Sequence, residues 1–190
     1  MKIRICCVLG IAMLQFGCVH IREPYLEPIG PGELKRIPPD GGPNNTLFVH
    51  IGRSTLRLSG GFEGSAAMAH LALEIPEGET VKFVSSKIVL TQGATQWVLS
   101  PTWTFNIATD GASTTEQLSF DAILFPAKFG GVFPNKGTIR MGYYSLLQLP
   151  NNLNAAEEFT ISIPGVNGYP PTLVQFRRRL ADYWHSVQLQ

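Results

Sequence analysis

Charge is scarce in this chain of 190 residues: Asp, Glu, Lys and Arg make up 15% of it, and 15 Lys plus Arg stand against 14 Asp plus Glu. With that balance and no basic run beyond Arg177, Arg178 and Arg179, the broad positive footprint of a nucleic-acid binder is missing, and nucleic acid is set aside as a partner. Cysteine is scarcer still. Cys6, Cys7 and Cys18 are the only three, so the chain beyond them has nothing for a disulfide framework, a thiolate metal centre or a cysteine nucleophile. The opening apolar run, Ile5 to Leu14, falls well short of the roughly 20 residues of a spanning helix. A Gly-x-Ser-x-Gly elbow is also lacking, since Gly52-Arg53-Ser54-Thr55-Leu56 fails at its last position. What is present is a hydrophobic fraction of 44% together with 19 Gly and 14 Pro, the composition of one globular, turn-rich domain.

Lys2 and Arg4 precede the opening apolar run, which Gln15 interrupts before Phe16, Gly17 and Cys18. A short apolar stretch behind positive charge has the form of an export signal. Leu14-Gln15-Phe16-Gly17-Cys18 resembles the lipobox of bacterial lipoproteins, with Gln15 where Leu is usual and Phe16 where a smaller residue is usual. The resemblance implies that residues 1–17 are removed and that the Cys18 thiol carries lipid as the mature N-terminus. It further implies a protein of the bacterial envelope. Val19, standing where Asp would signal inner-membrane retention, favours the outer membrane facing the periplasm. Loss of residues 1–17 takes Lys2 and Arg4 with it, leaving a formal charge of about −1.

From Val19 to Asn45 the chain holds six Pro and four Gly without periodicity, so residues 18–45 are expected to form an extended tether. Beyond Thr46 the dominant period is two. Trp103, Phe105 and Ile107 alternate with Thr102, Thr104 and Asn106; Phe159, Ile161 and Ile163 alternate with Thr160 and Ser162. Ile139, Met141 and Tyr143 with Leu147 and Leu149, and the set Leu118, Phe120, Ala122 and Leu124, extend the pattern. Weaker runs lie at 47–51, 55–58, 67–75, 81–84, 88–90, 97–99 and 173–176. Turn signals divide them at Gly60-Gly61, Pro76-Glu77-Gly78, Gln92-Gly93, Asp110-Gly111, Gly130-Gly131, Asn135-Lys136-Gly137, Pro150-Asn151-Asn152 and from Pro164 to Pro171. Roughly eight to eleven short strands at this spacing predict an all-β fold, a single antiparallel β-sandwich of immunoglobulin-like or jelly-roll-like kind over residues 46–178. Segments long enough for crossover helices are wanting, which disfavours a parallel sheet. One helical turn is expected within 152–158, and residues 179–190 are expected to form a short helix or loose tail.

No metal or other cofactor is expected. His70 and Glu74, four apart, share one side of their element, but two ligands bind a metal weakly, and a solvent-facing row opposite Ala69, Leu71, Leu73 and Ile75 is the favoured reading. His50, His70 and His185 with Asp110, Asp121 or Asp182 make no recognisable triad. The aromatics Trp97, Trp103, Tyr143, Tyr144 and Trp184 could form a stacking platform. Apolar neighbours point Trp97, Trp103 and Tyr143 towards the core, whereas Tyr144 lies on the opposite face. The loop Phe129-Gly130-Gly131-Val132-Phe133-Pro134-Asn135 carries apolar residues in a turn region. Tyr144, Trp103, Arg177, Arg178 and Arg179 are therefore the candidate ligand or partner contacts, and Cys18 the site of lipid attachment. The expectation is a non-catalytic, membrane-anchored envelope module that binds a protein partner. The alternatives are an immunity or inhibitor lipoprotein against a toxin, and a binder of glycan or peptidoglycan.

Overall fold

The computed structural model describes residues 16–37, 44–109, 112–126 and 142–188. The leader up to Gln15, the loop Phe129–Asn135, the turns at Asp110-Gly111 and Asn135–Gly137, and Ile139 and Met141 lie outside the described residues. The protein is all-β, as its period-two patterning predicts. In chain order the strands are β1 (Phe16–Ile29), β2 (Glu33–Ile37), β3 (Asn44–Ile51), β4 (Ser54–Glu63), β5 (Ala66–Glu74), β6 (Ile88–Gln92), β7 (Thr95–Leu99), β8 (Thr102–Thr109), β9 (Ala112–Ser119), β10 (Tyr143–Gln148), β11 (Phe159–Ile163) and β12 (Thr172–Gln188). All pairings between these strands are antiparallel. The order is β7-β6-β11-β12-β1-β4-β5-β10-β8-β9, with β3 on β4 and β2 on β3. No helix among the described residues is long and apolar enough to cross a membrane.

This single sheet curls so that its two arms share one core. Ile88, Leu90, Ile161, Ile163, Val174 and Phe176 come from one arm; Leu56, Leu58, Leu71, Leu73, Trp103 and Leu147 come from the other. Successive strand residues point to opposite faces, so every second residue of each strand enters that core and the alternate ones form the outer faces. An aromatic cluster fills part of the interior, with Trp103 stacked on Phe120 at 4.8 Å and Phe83 at 4.5 Å from Phe120. The Trp103 Nε1–H donates to the Phe120 carbonyl at 3.1 Å, so the one polar atom of that buried indole has its partner.

β1 joins the arms. It pairs with β12 along its whole length, and at Leu26 it pairs with Gly60 of β4. The pair Gly60-Gly61, read from sequence as a turn, instead lies inside β4. A Cβ on Gly60 would stand 2.7 Å from the Leu26 Cβ and 2.9 Å from the Phe176 ring, so only glycine admits this approach. Leu26 and Phe176 are fully buried there, and Phe176 stacks on Phe159 at 5.3 Å.

Four further segments differ from the sequence reading. The stretch expected to be a tether supplies β1 and β2. Pro24 and Pro28 are four apart, so the donors they lack fall on one edge of β1 and the other edge keeps a full set. The tail does not turn helical after Arg178 but continues in β12 to Gln188, because β1 offers a ladder from Phe16 to Ile29. The run Leu118 to Leu124 breaks at Ser119, where the Ala122 N–H donates to the Ser119 carbonyl at 3.0 Å; Phe120 and Leu124 are nonetheless buried. Residues 152–158 form linked turns rather than a helical turn, tied by the Asn154 side chain to the Ala156 N–H and to Glu157.

The two adjacent glycines should respond oppositely to one added methyl. Gly60→Ala forces Leu26 or Phe176 aside and should cost about 1–3 kcal/mol. Gly61→Ala meets nothing within 4 Å and should be neutral or add up to about 1 kcal/mol. Urea midpoints of the two variants against the parent test this, and equal midpoints would remove the corner role of Gly60.

Candidate functional site

On the outer face of β3, β4, β5, β10 and β8 lies an open groove of about 600 Å³. Its position follows from strand register. Phe48, Arg57, Ala72, Tyr144 and Thr104 stand opposite one another in sequence across the five strands, forming one continuous row. The neighbouring row is Ser59, His70 and Leu146, and the next is Gly61, Met68 and Gln148. Small residues, Ala72 in the first row and Gly61 at the end of the third, leave room for the depression; Arg57, Tyr144, His70 and Leu146 rise around it. Gly61 faces open space.

The electrostatics are simple. Among the described residues, Arg57 is the only permanently charged one in the lining, and no carboxylate lines the groove. The Arg57 Nη2 sits 3.0 Å from Glu74 Oε1, an ion pair whose carboxylate side is largely exposed. The Arg57 Nε is covered and has no hydrogen-bond partner, and neither has the covered Ser145 Oγ. A covered donor without an acceptor costs about 1–3 kcal/mol, and neither of these two atoms is exposed to receive a ligand. His70 keeps part of its ring at the surface, yet desolvation by the surrounding sheet lowers its pKa from the ordinary 6.5 and holds the imidazole neutral at pH 7.

Ser59 stands directly across from His70, but no hydrogen bond joins them among the described residues, and no lining carboxylate orients the ring, so a nucleophile–base–acid chain is lacking. No three His, Cys, Asp or Glu side chains converge to hold a metal among the described residues. His50 is spoken for by Thr55 at 3.2 Å and Asp121 by the Ser119 hydroxyl.

Of the sequence candidates, Tyr144 alone lines the groove. Trp103 is fully buried and faces the core, which removes it as a ligand contact. Arg177 and Arg179, two apart in β12, share its outer face, whereas Arg178 points to the other side. Arg177 pairs with Glu158 at 2.5 Å, Arg179 with Glu27 at 3.0 Å, and Arg178 lies over the Phe62 ring at 5.8 Å. Cys18 belongs to β1, its backbone opposite Ser186. Arg57, Ser59, Thr104 and Gly61 escaped the sequence reading; the usable signal was two glycines inside an alternating run, which mark close approach or missing bulk as readily as a turn.

Neither a protein-family model, nor a curated protein, nor a solved structure matches this chain.

Because protonation of His70 is disfavoured in the fold, the unfolded chain takes up that proton more readily. The stability that depends on neutral His70 is therefore intact above about pH 6.5 and is lost as pH falls below it. His70→Gln should flatten the decline. Thermal midpoints at pH 7.5 and 5.5 check this, the parent losing more on acidification than the variant; parallel losses would assign the decline to other groups.

Proposed function

We propose that this protein is a non-catalytic binding module of the bacterial envelope, moored by lipid on Cys18 and recognising its ligand through the outer-face groove. The observation that carries the binding part is the row from Arg57 over Ala72 to Tyr144, a depression floored by small residues and flanked by a cation and an aromatic ring. Sites of this volume with a few convergent polar groups are of the size that holds small ligands. The anchoring part rests on the resemblance of Leu14 to Cys18 to a lipobox, and the acyl chains would contribute about 0.8 kcal/mol per buried methylene. Envelope placement brings protein partners and surface polymers alike within reach, while the groove gives recognition a defined location.

Fractionation with mass spectrometry tests the anchor. The parent should sediment with membranes as a chain beginning at an acylated Cys18, and Cys18→Ala should shift to the soluble fraction. An unmodified chain still beginning at Met1 would overturn the anchoring. Recovery of bound material from solubilised membranes by the parent and by Gly61→Leu tests the groove, because leucine would fill the open space at Gly61. Equal recovery by both would overturn it.

A further inference from the structure

We propose that the groove binds a carboxylate-bearing pyranose, its ring stacked on Tyr144 and its carboxylate received by Arg57. The proposal deepens the groove reading above and rests on it. Four observations converge.

The first is spacing. Arg57 and Tyr144 flank Ala72 in one cross-strand row, so their backbones stand two strand intervals apart, about 9.6 Å. That interval above a methyl floor leaves a slot matched to one sugar ring, and it is too narrow for two. Second comes charge: Arg57 is the one permanently charged residue in the lining among the described residues, and its partner Glu74 is largely exposed and holds it only weakly, so a ligand carboxylate can take over the guanidinium. An arginine fork matches the two oxygens of a carboxylate.

Third, the surrounding donors and acceptors are short hydroxyls and an imidazole. Ser59 and His70 occupy the next row, and Thr104 extends the first beyond Tyr144. Such groups pair with ring hydroxyls, while the apolar face of a pyranose packs on an aromatic ring. The fourth observation disfavours peptide. A bound strand needs a free sheet edge, whereas the groove lies on the face of strands whose backbone groups are paired within the ladders of β4, β5 and β10. A ligand there meets side chains only, which suits a hydroxyl-rich ring.

Carboxylated pyranoses occur both as uronic acids of polysaccharides and as the lactyl-bearing sugar of peptidoglycan. Calorimetric titration of the full-length protein in detergent micelles would use trigalacturonic acid against neutral galactotriose, and N-acetylmuramic acid against N-acetylglucosamine. At least one acid should bind at least about tenfold more tightly than its neutral counterpart, and the pair showing the preference identifies the source. Arg57→Gln should reduce that preference to nearly onefold. Tyr144→Ala should weaken acid binding about tenfold or more. Ala72→Leu, which fills the floor between Arg57 and Tyr144 and removes neither partner of the Arg57–Glu74 pair, should abolish binding, and it covers the case in which Arg57→Gln fails to fold.

Equal affinity for acid and neutral sugars, binding that survives Ala72→Leu, triglutamate competing as well as the acid sugars, or no sugar binding at all would each overturn the proposal. The groove reading falls separately, on recovery of bound material that is insensitive to Gly61→Leu.

Discussion

The close approach of β4 to β1 at Gly60 is the contact on which the arrangement of the sheet depends. There the arm β7-β6-β11-β12 meets, through β1, the arm β4-β5-β10-β8-β9, and the Leu26 and Phe176 side chains fill the space that a Cβ would have taken. Without that junction the two arms have no shared interior. With it, their apolar residues bury one another in a single continuous core. Short strands of this kind are individually weak, and it is the facing of two apolar surfaces that stabilises them.

The groove follows from the same stretch of β4. Gly60 serves the inside by permitting the junction, and Gly61, one residue on, serves the outside by withholding a side chain from the outer face. The inward alternation of β4 fixes Arg57 and Ser59 outward, the alternation of β5 does the same for His70 and Ala72, and that of β10 for Tyr144 and Leu146. A surface whose backbone is consumed by ladder hydrogen bonds can speak only through such side chains. Its chemistry is therefore set by a few residues at fixed intervals, the geometry that suits a small rigid ligand.

Much of the architecture was legible because alternation is a local property. The runs at Trp103, Phe159 and Leu173 announced strands whose facing could be counted residue by residue, and the same count placed Tyr144 opposite Tyr143 and hence outside the core. Partner choice is not local. Pro24 and Pro28 look like breakers until β12 is known to lie alongside them, and the helical spacing of Phe176, Leu180, Tyr183 and Val187 prevails only where no strand is offered. Arg177, Arg178 and Arg179 read as one patch, but alternation leaves Arg177 and Arg179 on the outer face, paired with Glu158 and Glu27, and turns Arg178 to the other side over Phe62. Arg57 was invisible for the converse reason: a lone arginine in an alternating run resembles any solvent-facing residue, and its company of Ala72 and Tyr144 is assembled from strands far apart in the chain.

From Phe16 to Glu23, β1 finds its ladder partner in β12 alone among the described residues, over Ala181 to Gln188. Counted from Cys18, a two-stranded ribbon of six such pairs spans about 20 Å. Being hydrogen-bonded rather than coiled, it acts as a short mast and not a leash: it sets a fixed stand-off for whatever is joined near Cys18, and it narrows the range of angles at which the groove can face its surroundings. Clipping the chain before Ala181 would strip that mast of half its timber and leave the bare edge of residues 16–23 open to adhesion by another strand.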